Sequence, residues 1–573
     1  MDSFNLLQNY DGTYTLVIYL KSFNYEFGQD FFGKDNLKNR VRDISLNYKN
    51  ILIKTVKFVL VGGIVISVPF AKIMSGSGDN GKFAMSYVYF GTVAGQIENV
   101  KKSAKVIDTV SPSYFDLNEK GELNISNLSV SFVEEMHKEG LKVVPFISNH
   151  WSRSVGNAAL NNRYTLAQDI AETVDKYNLD GAHVDIENVD HTYRDKYTDF
   201  VRVLRELLPA DKEVSVAVAA NPYGWTNGWQ GSYDYAALAK HADYLMIMSY
   251  DEHYEGGEPG AVASIDFVRE SIEYALEYVS EEKIVMGVPF FGRLWGGGLN
   301  GSGISLNRAQ ELIETYGAKI YFDQETMSPV ATFTVRSSYP SFNLNGKTLK
   351  PGNYTLWYED ENSLREKFRL IEEYGIKGVG NWSAGQEKDG IWDYYELWMS
   401  GIYFNDIIGH FAKDDIIKVY SEGIMLGKSG DSFEPGGKLT RGEAAVVLAR
   451  VLGLSPVPDS KYKDTKGHFA AGYINALAEA GLTEGYPDGT FRPDNVVSRQ
   501  EMAVLLARIA EPDYRGKGGK YMDVDKSLWS FAEISALTEA GIMQGYADGT
   551  FRPHNPVTRG EMAVLINRIE KKQ

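Results

Sequence analysis

The chain has no cysteine among its 573 residues. Disulfides, thiolate metal sites and a cysteine nucleophile are therefore excluded. Histidine is scarce, with nine copies. His150, His191 and His253 lack the spacing of metal ligands, so no metal site is expected from them. Positive charge is in deficit: 59 Lys and Arg against 76 Asp and Glu leave a net charge of −17. Nucleic acid is thereby disfavoured as a partner, because binding phosphates needs basic surface. The uncharged apolar run Phe58–Ala71 is shorter than the ~18–20 residues that span a bilayer. Met1 is followed by Asp2 and no basic flank, so no signal peptide is expected to begin there.

What is present is ordinary for a globular protein: 43% hydrophobic and 24% charged residues. The length exceeds one core, so about three domains are expected. Aromatics are abundant, with 36 Tyr, 27 Phe and 9 Trp. Such rings stack on sugars, although most serve as core.

Residues 1–80 read as a distinct N-terminal region. Tyr14–Tyr19 has a strand pattern and Asp35–Tyr48 a helical one. Two readings stay open for residues 51–71. One is an internal signal-anchor in contact with a membrane, flanked by Lys38, Arg40, Arg42, Lys49, Lys54 and Lys57. The other is a set of β-branched strands in a small α/β domain. Ser75–Gly81 reads as a linker.

Residues 82–400 change pattern. Short apolar strands alternate with amphipathic helical segments, which predicts βα units. The strand candidates are Phe83–Phe90, Val106–Val110, Lys142–Ser148, Leu179–Glu187, Glu213–Ala220, Tyr244–Tyr250, Lys283–Phe290 and Gly378–Trp382. Eight strands over this length predict a (β/α)8 barrel, an α/β fold whose site lies at the C-terminal ends of its strands. Asn149, Trp151, Asp185, Glu187, Asn221, Tyr250, Asp251 and Trp382 fall at such ends. An α+β insertion of about 295–354 separates strands seven and eight and is expected to wall the cleft.

The stretch Leu179–Asp190 carries the chemistry. Strand side chains alternate faces, so His183, Asp185 and Glu187 share one face and Ala182, Val184 and Ile186 the other. Two carboxyls this close perturb each other: one stays ionised and one is pushed toward its protonated form. Acid-catalysed hydrolysis needs that pair.

Here the chain resembles glycoside hydrolase family 18, which carries Asp-x-x-Asp-x-Asp-x-Glu on its fourth barrel strand. This sequence reads Asp180-Gly-Ala-His183-Val-Asp185-Ile-Glu187. Met248-Ser-Tyr250-Asp251, Gly287-Val-Pro-Phe-Phe-Gly-Arg293 and Gly378-Val-Gly-Asn-Trp382 match the ends of strands six, seven and eight. Glu187-Asn-Val and Tyr250-Asp-Glu-His look most like the spore and cell-wall branch of N-acetylglucosaminidases. The resemblance implies Glu187, Asp185 and Tyr250 as catalytic residues. It implies Trp382, His183, Met248 and Asp251 as substrate contacts, and no cofactor; Asn149, Trp151, Asn221 and Tyr223 are read as sugar contacts or loop structure from their places at predicted strand ends. The implied substrate is peptidoglycan, with chitin-type glycans second. The departure is His183, where the family has Asp and the spore branch often Asn. Two readings of it stand: a hydrogen bond to Asp185, keeping Asp185 ionised if the ring is charged, or packing in the barrel interior.

Residues 403–573 repeat three times, over 403–455, 461–512 and 520–571. Such a period signals three similar units packed together. Thr440-Arg-Gly-Glu443, Ser498-Arg-Gln-Glu501 and Thr558-Arg-Gly-Glu561 are capping boxes that open helices, so the region is expected to be mostly helical. They resemble surface-layer homology repeats. The resemblance implies a secondary cell-wall polysaccharide as partner, with Arg441, Arg499 and Arg559 on its anionic groups. The first copy has Gly-Lys-Ser-Gly-Asp-Ser-Phe where the others share Gly-Tyr-x-Asp-Gly-Thr-Phe-Arg-Pro, so a weaker groove is expected there.

Overall fold

A computed structural model describes residues 82–458, 461–510 and 520–570, together with the backbone of four N-terminal strands. Those strands are Ser3–Gln8, Tyr14–Tyr19, Ile53–Val59 and Val65–Pro69, paired in that order as one sheet. The expected helix at Asp35–Tyr48 and the linker lie outside the described residues. Ile53–Val59 and Val65–Pro69 pair antiparallel, in keeping with the strand reading of this region. The physical reason is composition. Ile53, Val56, Val59, Val65, Ile66 and Val68 are stiff at χ1 and favour extended backbone. Among the described residues, no helix is long and apolar enough to cross a membrane.

The central region is an eight-stranded parallel barrel. Strand one is Phe83–Val88, and strand two runs as Thr109–Pro112 and Phe115–Leu117. Strand three is split into Lys142–Val143 and Phe146–Ser148 around Pro145, which cannot donate to a ladder. Strands four to eight are Gly181–Asp185, Glu213–Ala219, Tyr244–Met248, Ile284–Pro289 and Gly378–Trp382. Strand eight pairs with strand one, which closes the ring.

Alternation along the strands builds two cores. Met85, Tyr87, Phe146, Tyr244, Met246 and Val285 fill the barrel interior. Ala84, Val88, Val184, Val216 and Ile247 point outward against the helices. One glycine is required by close approach. Gly181 opens strand four at φ +152, and a Cβ there would sit 2.1 Å from the Glu213 carbonyl oxygen.

The insertion starts at Phe291, directly after strand seven. It forms a five-stranded antiparallel sheet ending at Trp357, with the helix Leu306–Tyr316 packed on it.

Each C-terminal repeat contributes two helices: Lys413–Ser421 with Arg441–Val451, Ala471–Glu479 with Arg499–Ala510, and Phe531–Glu539 with Arg559–Glu570. The capping box at Thr440 is formed, its hydroxyl accepting from Glu443 N and its own amide donating to the Glu443 carboxylate. Single β-bridges link Thr440 to Val496, Ser498 to Pro556 and Lys438 to Thr558. The first repeat thus pairs with the second, the second with the third and the third with the first. The array closes on itself rather than extending as a solenoid.

Candidate active site

Strand four ends at Asp185, and Glu187 follows in the turn beyond it. Three side chains hold that turn. Tyr197 Oη accepts from Ile186 N at 3.3 Å, and Tyr233 Oη donates to Ile186 O at 3.1 Å. Asn149 takes the next peptide: its Oδ1 accepts from Glu187 N at 2.9 Å and its Nδ2 donates to Glu187 O at 2.8 Å. The loop after strand three is locked in return, with Asn188 Nδ2 donating to Trp151 O and Arg153 Nε donating to Asn188 O. His150, Trp151 and Asn188 adopt left-handed backbone here, a conformation that non-glycine residues keep only where the surroundings enforce it.

The expected sugar contacts therefore divide. Asn149 is buried, and its amide is spent on the Glu187 backbone. It is a positioning residue. Asn221 is buried too, and it closes its own loop through both Trp225 N and Trp225 O. Trp151 is exposed, its ring 5.1 Å from Trp229. Trp382 ends strand eight against Tyr87 and Phe146, with Tyr89 at 5.6 Å. Met248 packs on the barrel-interior cluster. Asp251 is held by Arg293, at 2.7 and 2.8 Å from two guanidinium nitrogens. Tyr250 packs against Phe291, the first residue of the insertion.

Burial governs the electrostatics. Asp185 is buried, and desolvation pushes its carboxyl up to about 7. Glu187 opens to the cleft while protein encloses its carboxyl. Burial first, then the neighbouring Asp185 and Asp251 charges, raise it well above the ordinary carboxylate range. Tyr250 and Tyr87 are raised by burial and by these carboxyls, so both hydroxyls stay protonated.

His183 does not meet Asp185. Its Nε2 lies 2.7 Å from Tyr87 Oη and its Nδ1 2.8 Å from Ser215 Oγ. Ser215 donates its proton to Glu213 Oε1 at 2.9 Å. Ser215 Oγ must then accept from Nδ1–H, which leaves Nε2 as the acceptor for Tyr87 O–H. Both ring nitrogens are used, and complete burial holds His183 down at about 3. The ring is neutral and out of reach of substrate, so the hydrogen bond expected to Asp185 is corrected to a place in the interior network. Asp185 Oδ1 is left buried without a protein partner. Tyr87, Ser215 and Glu213 were not singled out from the sequence, because nothing near them in the chain marks them.

A stability prediction follows from Asp185. Its folded value lies above its ordinary 3.8, so stability is full below about pH 4 and is lost as pH rises toward 7. Each unit corresponds to about 1.4 kcal/mol, so the loss approaches ~4 kcal/mol. Asp185→Asn should therefore match the wild type at pH 4 and exceed it by a few kcal/mol at pH 8. Urea unfolding at the two pH values checks this; equal stabilities at pH 8 would refute it.

In the repeats the three arginines face inward. Arg499 and Arg559 are buried. Arg441 donates to Phe491 O and Glu501, Arg499 to Phe551 O, Gln544 O and Glu561, and Arg559 to Phe433 O and Leu426 O. Each guanidinium ties its repeat to the next, and the third ties back to the first. These contacts take part of each fork, and Arg441 is the least buried of the three. The exposed cations beside them are Arg492 and Arg552, centred 3.8 Å over Tyr486 and 4.1 Å over Tyr546.

A model of the glycosyl hydrolases family 18 matches residues 84–387, more than half of the sequence. The chain belongs to that family. The S-layer homology domain model matches three times, at 403–445, 461–503 and 520–563. The cortical fragment-lytic enzyme of Bacillus subtilis (strain 168) is 28% identical over 266 residues, covering 44% of this chain and 59% of that protein. The cellulosome-anchoring protein of Acetivibrio thermocellus is 38% identical over 156 residues, covering 25% of this chain and 34% of that protein. The chain spans about half the length of the curated glycosylases it matches. The crystal structure of the Bacillus cereus spore cortex-lytic enzyme SleL shares the fold, with a TM-score of 0.50 at 22% identity over 58% of this chain and 76% of that one.

Proposed function

We propose that the chain is a cell-surface glycoside hydrolase that cleaves β-1,4 bonds beside N-acetylglucosamine, with peptidoglycan as the substrate. The supporting observation is the clamped turn that carries Glu187, a protonated acid beside a second carboxyl at the mouth of the barrel. Glu187 gives its proton to the glycosidic oxygen as the bond to the anomeric carbon breaks. The substrate's own 2-acetamido oxygen bonds to that carbon, forming an oxazolinium ion. Asp185 accepts the acetamido N–H and offsets the positive charge, and Tyr250 donates to the acetamido oxygen. Glu187, now ionised, takes a proton from water whose oxygen opens the ring with retention. Trp382 floors the sugar that reacts. Substrate choice rests on the resemblance to the cell-wall branch and on relatives named cortical fragment-lytic enzyme.

The S-layer homology repeats place the barrel at the wall by binding a secondary cell-wall polysaccharide. Its anionic groups meet the remaining N–H edges of Arg441, Arg499 and Arg559 and of the exposed Arg492 and Arg552 beside the first two.

Product analysis tests the reaction. Peptidoglycan and chitin oligomers are digested in parallel, and the first product is read by proton NMR before it mutarotates. The expected product is the β-anomer, released faster from peptidoglycan. An α-anomer would refute substrate assistance, faster chitin cleavage would reassign the substrate, and no product from either would leave a glycan-binding protein.

The neutral histidine makes a second prediction. His183→Asn should keep kcat within about tenfold, ~1.4 kcal/mol, and leave both limbs of the pH profile in place. A displaced acidic limb would show that His183 carries charge.

A further inference from the structure

The three repeats differ at one loop, and the odd loop has a partner outside the repeats. In the second and third copies, Asp488 and Asp548 pair with Arg492 and Arg552 at 3.0 and 2.8 Å. Gly489 and Gly549 take left-handed backbone to make that turn. In the first copy, Gly430 and Glu434 stand in the positions of that ion pair, and Asp431 stands where the glycine would be. The Asp431 carboxylate is turned to the barrel. It meets the guanidinium of Arg369, with that of Arg365 at 3.8 Å, both on the barrel helix Glu361–Tyr374.

Other contacts surround this seat. Lys413 reaches Glu396 on the last barrel helix at 2.8 Å. Tyr403 Oη donates to Phe368 O at 3.2 Å, and Arg369 stacks over the Tyr403 ring. Beneath them Ile402, Phe404 and Ile407 are buried, in one apolar core with Phe368 and Trp398 of the barrel. Half-exposed ion pairs are individually weak. The apolar strip therefore supplies adhesion, and the Asp431 pairs select one orientation.

We propose that the first repeat is a docking element, its loop converted from groove chemistry to a seat on the barrel flank, so that barrel and repeats form one rigid body. The seat leaves the mouth open. Lys388, just beyond strand eight, marks the mouth end of helix Glu361–Tyr374 by pairing with Glu361. Lys82, just before strand one, lies near Glu372 and marks the opposite end. The docking residues fall between these ends. A rigid seat gives the barrel a fixed attitude to whatever the repeats hold. This inference does not depend on the reaction proposed above.

The absence of cysteine allows a direct test on the full chain. Dyes are placed at Lys120→Cys and Lys526→Cys, both exposed, and single-molecule energy transfer is recorded. The wild-type background should give one narrow population. Asp431→Arg, which faces Arg365 and Arg369 with a third guanidinium, should broaden or split it. Adding Arg369→Asp to that variant should restore the narrow population. A broad wild-type distribution would overturn rigid docking. An Asp431→Arg distribution as narrow and unshifted as the wild type would overturn the role of the loop, as would failure of the charge swap to restore the original value.

Discussion

Glu187→Gln is expected to lose turnover by about 10²–10⁴-fold, the usual contribution of a positioned general acid, while remaining folded. The amide keeps the shape of the side chain but has no acidic proton to give to the leaving oxygen. The backbone of the turn is held by Asn149, Tyr197 and Tyr233 and not by the Glu187 side chain, so the substitution leaves the scaffold alone. Stability should rise somewhat above neutral pH, because a raised carboxyl in this enclosed position costs free energy once ionised. The measurement is the initial rate of reducing-end release, taken beside a thermal melt. Wild-type turnover in the variant would move the acid elsewhere. An unfolded variant would show that the turn depends on the carboxyl after all.

Arg499→Ala carries the second large effect, and on stability. The side chain is 5% exposed and spans the second and third repeats. It donates to Phe551 O at 2.9 Å, Gln544 O at 2.7 Å and Glu561 at 3.1 Å, and lies over the Tyr546 and Phe551 rings. Truncation leaves two carbonyls and a carboxylate without this partner and opens a cavity between repeats. Removing one member of such a buried pair costs about 3–5 kcal/mol. The melting transition of the repeats should fall accordingly, and binding to wall material should fail along with the fold. Arg492→Ala is the contrasting variant. Its guanidinium is exposed on Tyr486, so stability should hold while wall binding weakens. The opposite pattern, a stable Arg499→Ala that no longer binds, would leave the buried arginine the role of ligand contact alone.

These two residues show which inferences local sequence can support. Asp185 and Glu187 are legible because their chemistry is local. Acids at alternate positions between apolar neighbours predict a strand end with two enclosed carboxyls, and the turn after Asp185 keeps them close. Tyr250 and Trp382 are legible because each ends a barrel strand, and parallel strands bring such ends to one mouth. The same reasoning does not show what holds Asn149 and Asn221. Both end strands, and their amides bond to the backbone of Glu187 and of Trp225, contacts that no one-dimensional pattern reveals.

The surroundings of His183 and of the repeat arginines were hidden for a related reason. The histidine shares a face with Asp185, but its partners are Tyr87 from strand one and Ser215 from strand five. Barrel closure chooses those partners over the neighbour two residues away. Arg441, Arg499 and Arg559 open exposed-looking helices, and only the closed ring of repeats buries their forks against the following repeat. Ile53–Val59 and Val65–Pro69 are a simpler case: β-branched residues favour extended backbone, and the two segments pair as strands.

The barrel, the three repeats and the acid pair of Leu179–Asp190 are readable along the chain, because periodicity, capping and neighbouring charge act within a few residues. Tertiary structure decided which polar groups remain free to act. Hydrogen-bonding capacity is finite, and contacts between distant segments claim it for His183, Asn149 and Arg499 while leaving Glu187 its proton.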